Sequence, residues 1–212
     1  LVGSEMCIRD RLGPVAGVDE AGRGACCGPI SIAACILPPG EISELARLTD
    51  SKKLTEKRRE ELFGVIKEKA TAYAIVHIPA EEIDQLGIQH ANVSGMRRAV
   101  AKLAVIPGYV LTDAVQVPGL AQPHLPVVKG DQMARCISAA SVLAKVSRDR
   151  FMRQLDGQFP GYGLAGHKGY GTKAHMDAVS LHGATPYHRY TYANVAKAHT
   201  AWLKNQGEEG RI

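Results

Sequence analysis

Short apolar runs separated by turn residues occupy the first part of the chain and predict β-strands. The run Val15–Asp19 precedes the glycine-rich turn AGRGACCGP, and the run Ile30–Leu37 ends at Pro38-Pro39-Gly40. Apolar runs bounded by glycine and proline are typical of buried strands. Three further strands are predicted at Thr71–Ile78, Tyr109–Asp113 and Pro126–Asp131.

Helices are predicted between and after these strands. Thr55 is placed to cap a helix that runs to Ala70, in which apolar residues recur at helical spacing. Other helices are predicted over Ala80 to about Ala104, Met133 to about Gln154, Lys173–His182 and about Asn194–Asn205. We therefore predict an α/β fold, with a mixed central sheet flanked by helices and a small helical C-terminal part.

The first eleven residues, LVGSEMCIRDR, show neither strand nor helix periodicity and differ from the rest of the chain. We expect residues 1–11 to be a disordered or artefactual leader. Residues 12–190 should form one domain, and residues 191–212 a C-terminal helix and tail. The middle segment contains no internal repeat and no linker long enough to divide it.

Composition excludes several classes of protein. The chain has 212 residues and a mass of 22.7 kDa, with 45% hydrophobic and 22% charged residues. These proportions are typical of a globular domain and exclude a disordered, collagen-like or coiled-coil chain. The formal net charge of +5 and the isoelectric point near 9.0 weakly indicate a polyanionic partner.

The cysteines show no regular framework; they are Cys7, Cys26, Cys27, Cys35 and Cys136. No CxxC pair indicates a zinc site, so we interpret them as small thiols in a reducing compartment. No apolar run approaches the ~20 residues of a membrane span, and we see no secretory signal pattern. The sequence therefore predicts a cytoplasmic protein that does not contact a membrane.

Four acidic residues lie at the ends of predicted strands. Asp19 and Glu20 end the first strand, Asp113 ends a later one and Asp131 ends the next. Carboxylates there can converge at one edge of an α/β sheet, although any one alone is more often an unconnected surface acid. Clustered carboxylates repel one another unless a cation is present, and their oxygens suit Mg²⁺ or Mn²⁺ better than zinc. Consecutive strand residues point to opposite faces, so Asp19 and Glu20 can share an ion only if the backbone departs from regular geometry there.

Six segments are more specific together than any single acid: VAGVDEAGRG, DSKKLT, YVLTDA, VVKGDQ, SAASVLAKVSRDR and HKGYGTKAH. In this order they resemble the type 2 ribonucleases H, in particular the bacterial ribonucleases HII, from Val15 to about Arg189. The resemblance implies a ribonuclease H-like fold with residues 12–190 as the catalytic domain. It also implies Mg²⁺ or Mn²⁺ as cofactor, with two ions expected during catalysis. The residues that match the family's four catalytic metal ligands are Asp19, Glu20, Asp113 and Asp131.

The reaction implied by the resemblance is that of a metal-dependent endoribonuclease. The family hydrolyses RNA in RNA–DNA hybrids and cuts on the 5′ side of single ribonucleotides in duplex DNA, leaving 3′-hydroxyl and 5′-phosphate ends. This chemistry needs an activated water and neutralised phosphodiester oxygens, which two divalent ions can supply. We expect Asp19 to bridge the ions, because it is central to the most specific motif, and Asp131 to hold its ion more loosely.

Selecting a ribonucleotide requires contact with its 2′-hydroxyl. By resemblance, this contact is the role of Gly22, Arg23, Gly24 and Tyr170. The candidates for phosphate contacts are Lys52, Lys53, Ser138, Ser141 and Lys145, with Arg148 and Arg150 as further possibilities. Three of them, Ser138, Ser141 and Lys145, share one helix face. A plain turn, a loop tyrosine and a solvated basic face are the alternative interpretations.

Two other classes of function fit the same residues. One is a module that binds hybrids without cutting them, and the other is a metal-dependent phosphatase acting on a small substrate. A long helix carrying serine, lysine and arginine suits an extended polymer better than a small molecule. We therefore expect RNA–DNA hybrids and ribonucleotide-containing DNA as partners, and a monomeric protein.

Overall fold

Five strands form one mixed sheet in the computed structural model, which describes residues 2–46, 48 and 51–209. The side chains of residues 2–6, 52 and 207–209 lie outside that description. The strands are β1 (Val15–Ala21), β2 (Ile30–Ile36), β3 (Ala72–Ile78), β4 (Tyr109–Asp113) and β5 (His124–Val127), in the spatial order β3-β2-β1-β4-β5. β1 pairs antiparallel with β2 and parallel with β4, which pairs parallel with β5. The predicted mixed sheet is confirmed.

The described part of the chain contains these α-helices: α1 (Val2–Leu12), α2 (Glu56–Lys69), α3 (Ala80–Leu86), α4 (Ile88–Ala101), α5 (Gly130–Met133), α6 (Arg135–Gln158), α7 (Leu164–His167), α8 (Lys173–His182) and α9 (Ala193–Glu209). Short 3-10 turns cover Ser43–Leu45 and Ser51–Lys53. Thr55 caps α2 as predicted, since its hydroxyl accepts the backbone N–H of Arg58 at 3.2 Å. Within the residues that the structure describes, none of the helices is long and apolar enough to cross a membrane.

The chain folds into two compact units, each assembled from segments that are distant in sequence. The first comprises Leu1–Ala21, Ser31–His77 and Asn92–Ser147, and the second comprises Gly22–Ile30, Ile78–Ala91 and Arg148–Ile212. Because the chain passes between the units several times, no single linker in the sequence marks their boundary. The predicted boundary between residues 190 and 191 stays a prediction.

In the first unit, α2 and the N-terminal half of α6 pack on β2. Leu62 and Ile66 of α2, Leu143 of α6 and the β2 residues Ala33 and Cys35 belong to one buried apolar cluster. Burial of large aliphatic side chains stabilises the fold by roughly 1.5–3 kcal/mol each. This cluster therefore holds α6 against the sheet.

The start of α6 also lies against β1, because Gly17 has no side chain. A Cβ at Gly17 would lie 2.1 Å from the carbonyl carbon of Cys136 and 2.2 Å from the backbone nitrogen of Ile137. Any larger residue would push the helix away from the strand. The close approach allows α6 side chains to reach the acids at the end of β1.

The second unit has its own apolar core. It includes Met152 of α6, Leu164 of α7, Val179 of α8 and Ala198 of α9. Cys27, from the turn between β1 and β2, belongs to the same cluster. The core therefore anchors that turn to the helices of this unit.

The structure corrects three expectations. Residues 2–12 form α1, whose Ile8 packs against the cluster containing Val15, so the expectation of disorder is wrong for this segment. The helix predicted over Ala80–Ala104 is two helices, because Gly87 adopts a φ of +82° and ends α3. The strand predicted to reach Asp131 ends at Val127, and Asp131 lies instead in the first turn of α5. Leu1 and residues 210–212 lie outside the described residues.

Candidate active site and substrate loop

Asp19 and Asp113 meet at one edge of the sheet in the first unit. β1 and β4 are parallel, and Val18 pairs with Thr112, so the two acids follow at equivalent positions of neighbouring strands. Asp19 is 6% exposed. Burial, together with the charges of Glu20 and Asp113, holds the pKa of Asp19 well above its ordinary range. The predicted convergence of carboxylates therefore holds for these strand ends.

Glu20 follows Asp19 within β1, and the strand keeps regular pairing at both residues. Asp19 pairs with Ala33 and Glu20 with Ile32. The departure from strand geometry that the AGRG sequence permits begins at Gly22, whose φ is +86°. The departure that a shared ion was expected to require is therefore not observed at Asp19 and Glu20, although the backbone N–H of Glu20 donates to Oδ1 of Asp19 at 2.7 Å. The charge of Glu20 helps to raise the pKa of the Asp19 carboxyl.

A hydrogen bond connects Asp113 to the turn that carries Asp131. The backbone N–H of Gly130 donates to Oδ1 of Asp113 at 2.7 Å, and Asp131 is the next residue and is buried. Left-handed backbone at Ala114 (φ +55°) and Lys129 (φ +54°) lies beside the two acids. Residues with a side chain adopt this conformation at an energetic cost, often at functional sites. A short helix, not a strand end, therefore carries Asp131.

Two residues predicted to contact phosphate, Ser138 and Ser141, are buried beside the acids. The Ser141 hydroxyl donates to the carboxylate of Asp19, and its Oγ lies 2.8 Å from Oγ of Ser51. A hydroxyl has one hydrogen, so Ser51 is the donor in the second pair. The Ser138 hydroxyl donates to the carbonyl oxygen of Asp131 at 2.6 Å. A phosphate contact through either serine would require exchange of these partners.

The lysines predicted to contact phosphate differ in what the structure describes. Lys53 is exposed, and its Nζ donates to Oε1 of Gln132 at 3.3 Å. Lys145 is half-buried on α6. The backbone of Lys52 lies in a 3-10 turn, but its side chain lies outside the described residues, as does Asp50 of the DSKKLT segment. Lys53 is therefore a basic side chain with a defined position beside Gln132, which follows Asp131.

The donor set of the first unit fits a divalent cation. The four predicted ligands offer only carboxylate oxygens, the donors that Mg²⁺ and Mn²⁺ prefer. A cation at the buried Asp19 carboxylate would offset its repulsion by Glu20 and Asp113. Both features suit a metal centre based on Asp19, Glu20 and Asp113, with Asp131 joined through the Gly130 turn.

In the second unit, two buried arginines, Arg148 and Arg189, lie against the Gly22–Gly24 turn. Arg189 donates to the carbonyl oxygens of Gly22 at 2.8 Å and of Arg23 at 2.9 Å. A Cβ at Gly22 would lie 1.8 Å from Nε of Arg148, and the φ of +86° also requires glycine. The conformation of this turn is therefore determined by side chains far away in sequence.

Tyr170 lies beside Gly24 in the second unit. A Cβ at Gly24 would have Cε1 of Tyr170 as its nearest neighbour, at 4.0 Å. The Tyr170 ring centroid lies 5.8 Å from the guanidinium carbon of Arg148, and the residue is 43% exposed. An accessible phenol next to a bare glycine backbone can pack against a sugar and pair with one of its hydroxyls.

The amino-acid sequence does not predict the structural roles of Arg148 and Arg189. The expectation that Arg148 contacts phosphate is wrong, because the residue is 1% exposed. Its guanidinium nitrogens donate to the carbonyl oxygens of Pro29, Lys168 and Cys27 at 2.9, 2.8 and 3.0 Å. No local signal separates such an arginine from a surface one, since its acceptors come from other segments of the chain.

Comparison with known proteins identifies the family. The family model described as Ribonuclease HII matches residues 16–195. The ribonuclease HII of Corynebacterium jeikeium (strain K411) is 77% identical over 196 residues, which cover 92% of this chain and 94% of that protein.

Two solved structures share the fold. The crystal structure of ribonuclease H2 from Pyrococcus horikoshii OT3 has a TM-score of 0.78 at 27% identity, and the match covers 91% of this chain and 100% of that one. The crystal structure of Bst-RNase HIII in complex with Mn²⁺ has a TM-score of 0.70 at 20% identity, covering 92% and 72%. With the matched family and the shared fold, the chain belongs to the ribonuclease HII family, divalent-metal-dependent endoribonucleases that hydrolyse RNA in RNA–DNA hybrids.

Proposed function

We propose that this chain cuts duplex DNA on the 5′ side of a single embedded ribonucleotide, as well as RNA in hybrids, and leaves 3′-hydroxyl and 5′-phosphate ends. The observation that carries the proposal is the buried Asp19 carboxylate, whose pKa is raised by burial and by Glu20 and Asp113. A nearby cation would favour its ionised form. The site therefore suits metal-dependent hydrolysis of a phosphodiester.

The side chains that would hold Mg²⁺ or Mn²⁺ are Asp19, Glu20, Asp113 and Asp131. When bound, two such ions supply an activated water and neutralise charge on the phosphodiester oxygens. We assign the shared position to Asp19, because the charges of both Glu20 and Asp113 act on it. Bst-RNase HIII, which has the same fold, was solved with Mn²⁺, and this supports Mn²⁺ as one of the two candidates.

Neighbouring groups of the chain orient these carboxylates. The Ser141 hydroxyl donates to Asp19, and the Gly130 N–H donates to Oδ1 of Asp113 at 2.7 Å. Such hydrogen bonds restrict the rotation of a carboxylate, as outer partners of metal ligands commonly do. The acids would therefore present oriented oxygens to a metal ion.

The Gly22–Gly24 turn and Tyr170 would contact the ribose. Arg189 holds the carbonyl oxygens of Gly22 and Arg23, which leaves the bare Gly24 backbone beside the Tyr170 ring. A phenol hydroxyl can donate to, or accept from, a 2′-hydroxyl while its ring packs on the sugar. A deoxyribose offers no such partner, which is the physical basis for selecting a ribonucleotide.

The proposed phosphate contacts are Lys52, Lys53, Ser138, Ser141 and Lys145. Lys53 has the clearest support, because it is exposed and its ammonium lies next to Gln132, which follows Asp131. A lysine ammonium attracts phosphate as a point charge. The serines are the weaker candidates, since their hydroxyls already have partners inside the first unit.

We further propose that the protein acts as a monomer in the cytoplasm. Support for a reducing compartment comes from four buried cysteines that form no disulfide bond, Cys26, Cys27, Cys35 and Cys136. Size-exclusion chromatography with light scattering tests the oligomeric state. We expect a mass near 22.7 kDa, and a mass of about twice that value would contradict the proposal.

Cleavage of an end-labelled DNA duplex with one ribonucleotide tests the main proposal. With Mg²⁺ or Mn²⁺ we expect a single cut on the 5′ side of the ribonucleotide, and no cut with EDTA. Asp19→Asn should not cut, and an all-DNA duplex is the matched control substrate. Tight binding without cutting would favour a hybrid-binding module, and cutting of the all-DNA control would contradict selection of the ribose.

A further inference from the structure

His175 and His188 are buried in the second unit and take no part in the proposed reaction. His175 lies in the first turn of α8 and is 0% exposed, and His188 lies between α8 and α9 and is 1% exposed. Their Nε2 atoms are 3.0 Å apart, a hydrogen-bonding distance. Buried ring nitrogens need partners, so the other contacts of these rings indicate what the pair does.

One backbone donor determines the hydrogen positions in both rings. The N–H of Thr185 donates to Nδ1 of His188 at 2.9 Å, so the neutral His188 ring carries its hydrogen on Nε2. That hydrogen is donated to Nε2 of His175. The hydrogen of His175 must then be on Nδ1, which lies 2.9 Å from the carbonyl oxygen of Tyr170. The result is a continuous chain of hydrogen bonds from the Thr185 N–H to the Tyr170 carbonyl oxygen, which we call the relay.

Both rings are held neutral, which this order of hydrogens requires. Burial, with a smaller contribution from nearby His167, lowers the pKa of His175 to about 4. Burial also lowers the pKa of His188 to about 4, with additional contributions from the neighbouring histidines. The His167 ring stacks on His175, with centroids 4.3 Å apart. A second proton on either ring would disrupt a donor–acceptor pair of the relay.

The thiol of Cys27 lies in the same cluster as the two histidines. Sγ of Cys27 and one nitrogen of each histidine lie within 4.8 Å of one another. Burial raises the pKa of Cys27 to about 12, so the thiol keeps its proton at neutral pH in the metal-free protein. All four ring nitrogens of His175 and His188 already take part in hydrogen bonds. Hydrogen bonds therefore account for the positions of the two histidine rings.

The relay ends on the backbone of the loop that carries Tyr170. The Tyr170 carbonyl oxygen accepts the Thr172 N–H at 2.8 Å in addition to the His175 ring. Just before it, Lys168 (φ +53°) and Gly169 (φ +80°) both adopt left-handed backbone. Lys168 is the C-cap of α7, and the backbone that follows it is outside any helix or strand, so individual hydrogen bonds determine its shape.

We propose that His175 and His188 are positioning residues that fix the Tyr170 loop, so that the Tyr170 hydroxyl meets the ribose 2′-hydroxyl. The inference rests on the proposed role of Tyr170. Neither histidine touches substrate or metal in this scheme. Their contribution is to hold one carbonyl oxygen, and through it the direction of the adjacent side chain.

A kinetic double-mutant cycle with His175→Ala and Tyr170→Phe tests the proposal on the single-ribonucleotide duplex. His175→Ala should lower kcat about tenfold with little change in KM, because misplacing a contacting group impairs the reacting geometry more than binding. His175→Asn should recover most of the loss, since its amide N–H can replace Nδ1–H. In the Tyr170→Phe background the same His175→Ala change should lower kcat by less than about twofold. His90→Ala, at an exposed histidine of the same unit, is the matched control and should leave cleavage unchanged.

The double-mutant cycle distinguishes the proposed ribose contact of Tyr170 from the proposed relay. If Tyr170→Phe alone keeps full activity, the proposed ribose contact is wrong. If Tyr170→Phe impairs cleavage but His175→Ala lowers kcat by the same factor in both backgrounds, the proposed ribose contact stands and the relay proposal is overturned.

Nitrogen NMR of the full-length wild-type protein gives a measurement that needs no variant to fold. At pH 7.5 we expect His188 as the Nε2–H tautomer and His175 as the Nδ1–H tautomer. The reverse tautomers, a charged ring, or one equivalent of tightly bound zinc would overturn the proposal.

Discussion

The carboxylate of Asp113 accepts the backbone N–H of Gly130 at 2.7 Å. A Cβ on Gly130 would lie 3.3 Å from the same oxygen and 2.6 Å from Cδ1 of Ile137, so a side chain here would require Ile137 to move and would crowd the Asp113 carboxylate. The bond joins the end of β4 to the turn that carries Asp131. Asp113 of β4 and Asp131 of α5 are thereby held in a fixed relative position.

Asp113→Asn should separate charge from structure at this position. The amide oxygen can still accept the Gly130 N–H, and removal of one negative charge relieves repulsion on Asp19. We expect cleavage to fall by a factor of about 100 or more while the free energy of unfolding is unchanged or higher. Asp113→Ala should lose activity and also about 1–2 kcal/mol of stability. Urea denaturation and duplex cleavage measure both, and equal stability of the two variants would contradict the structural role.

Asp19→Asn should reduce metal affinity and activity more than Asp131→Asn. The charges of Glu20 and Asp113 both act on the Asp19 carboxylate, and Asp131 is attached through the Gly130 turn. Calorimetric Mn²⁺ binding and cleavage over a range of Mn²⁺ concentrations test the ranking. Excess Mn²⁺ should partly restore Asp131→Asn and should not restore Asp19→Asn. Equal losses in the two variants would show that the ranking is wrong.

Gly22 and Gly24 should respond differently to an added methyl group. Gly22→Ala should lower the free energy of unfolding by about 2–4 kcal/mol, because φ is +86° and the methyl would collide with Arg148. Gly24→Ala should stay within about 1 kcal/mol of the wild type, since its nearest neighbour is 4.0 Å away. It should nonetheless slow cleavage beside a ribonucleotide, because the methyl would occupy space proposed for the sugar. Full activity of Gly24→Ala would argue against that contact.

Arg189→Lys should be destabilising although it keeps the charge. The guanidinium donates to the carbonyl oxygens of Gly22, Arg23 and Gly28, and a lysine ammonium cannot reproduce this planar fork. We expect a loss of about 3 kcal/mol in the free energy of unfolding, measured by urea denaturation. Arg150→Lys, at an exposed arginine, should change it by less than about 0.5 kcal/mol. Similar values for the two variants would contradict the role assigned to Arg189.

The buried histidines should make stability fall in acid. Each has a pKa of about 4 when folded and 6.5 ordinarily, so between these values the unfolded chain binds more protons. Stability is therefore complete above pH 6.5 and declines as the pH drops toward 4, by up to about 1.4 kcal/mol per pH unit for each histidine. The raised pKa of Asp19 acts in the opposite direction, so the comparison is with His188→Gln. Urea denaturation at several pH values should give a shallower decline for that variant, and identical slopes would contradict the prediction.

Local sequence patterns were sufficient to predict most strands of the sheet and the meeting of two of the four acids. The apolar runs of β1, β2, β3 and β4 are bounded by turn residues, and their predicted positions agree closely with the observed strands. Asp19 and Asp113 end neighbouring parallel strands, so their meeting at one edge follows from the strand pattern. The predicted position of Asp131 at a strand end is wrong, because the proline-containing β5 is short and a helical turn that includes Asp131 follows it.

The strands, the acidic residues at their ends and the motifs that place the chain in its family could all be recognised from the amino-acid sequence, because they depend on short spacings along one segment. The folded chain was needed to show which polar groups are buried and what they bind. Arg148 and Arg189 reach the turn after β1 across more than a hundred positions, and His188 meets His175 in a buried contact. Burial and hydrogen-bond partners are properties of several distant segments brought together, and no local pattern contains them.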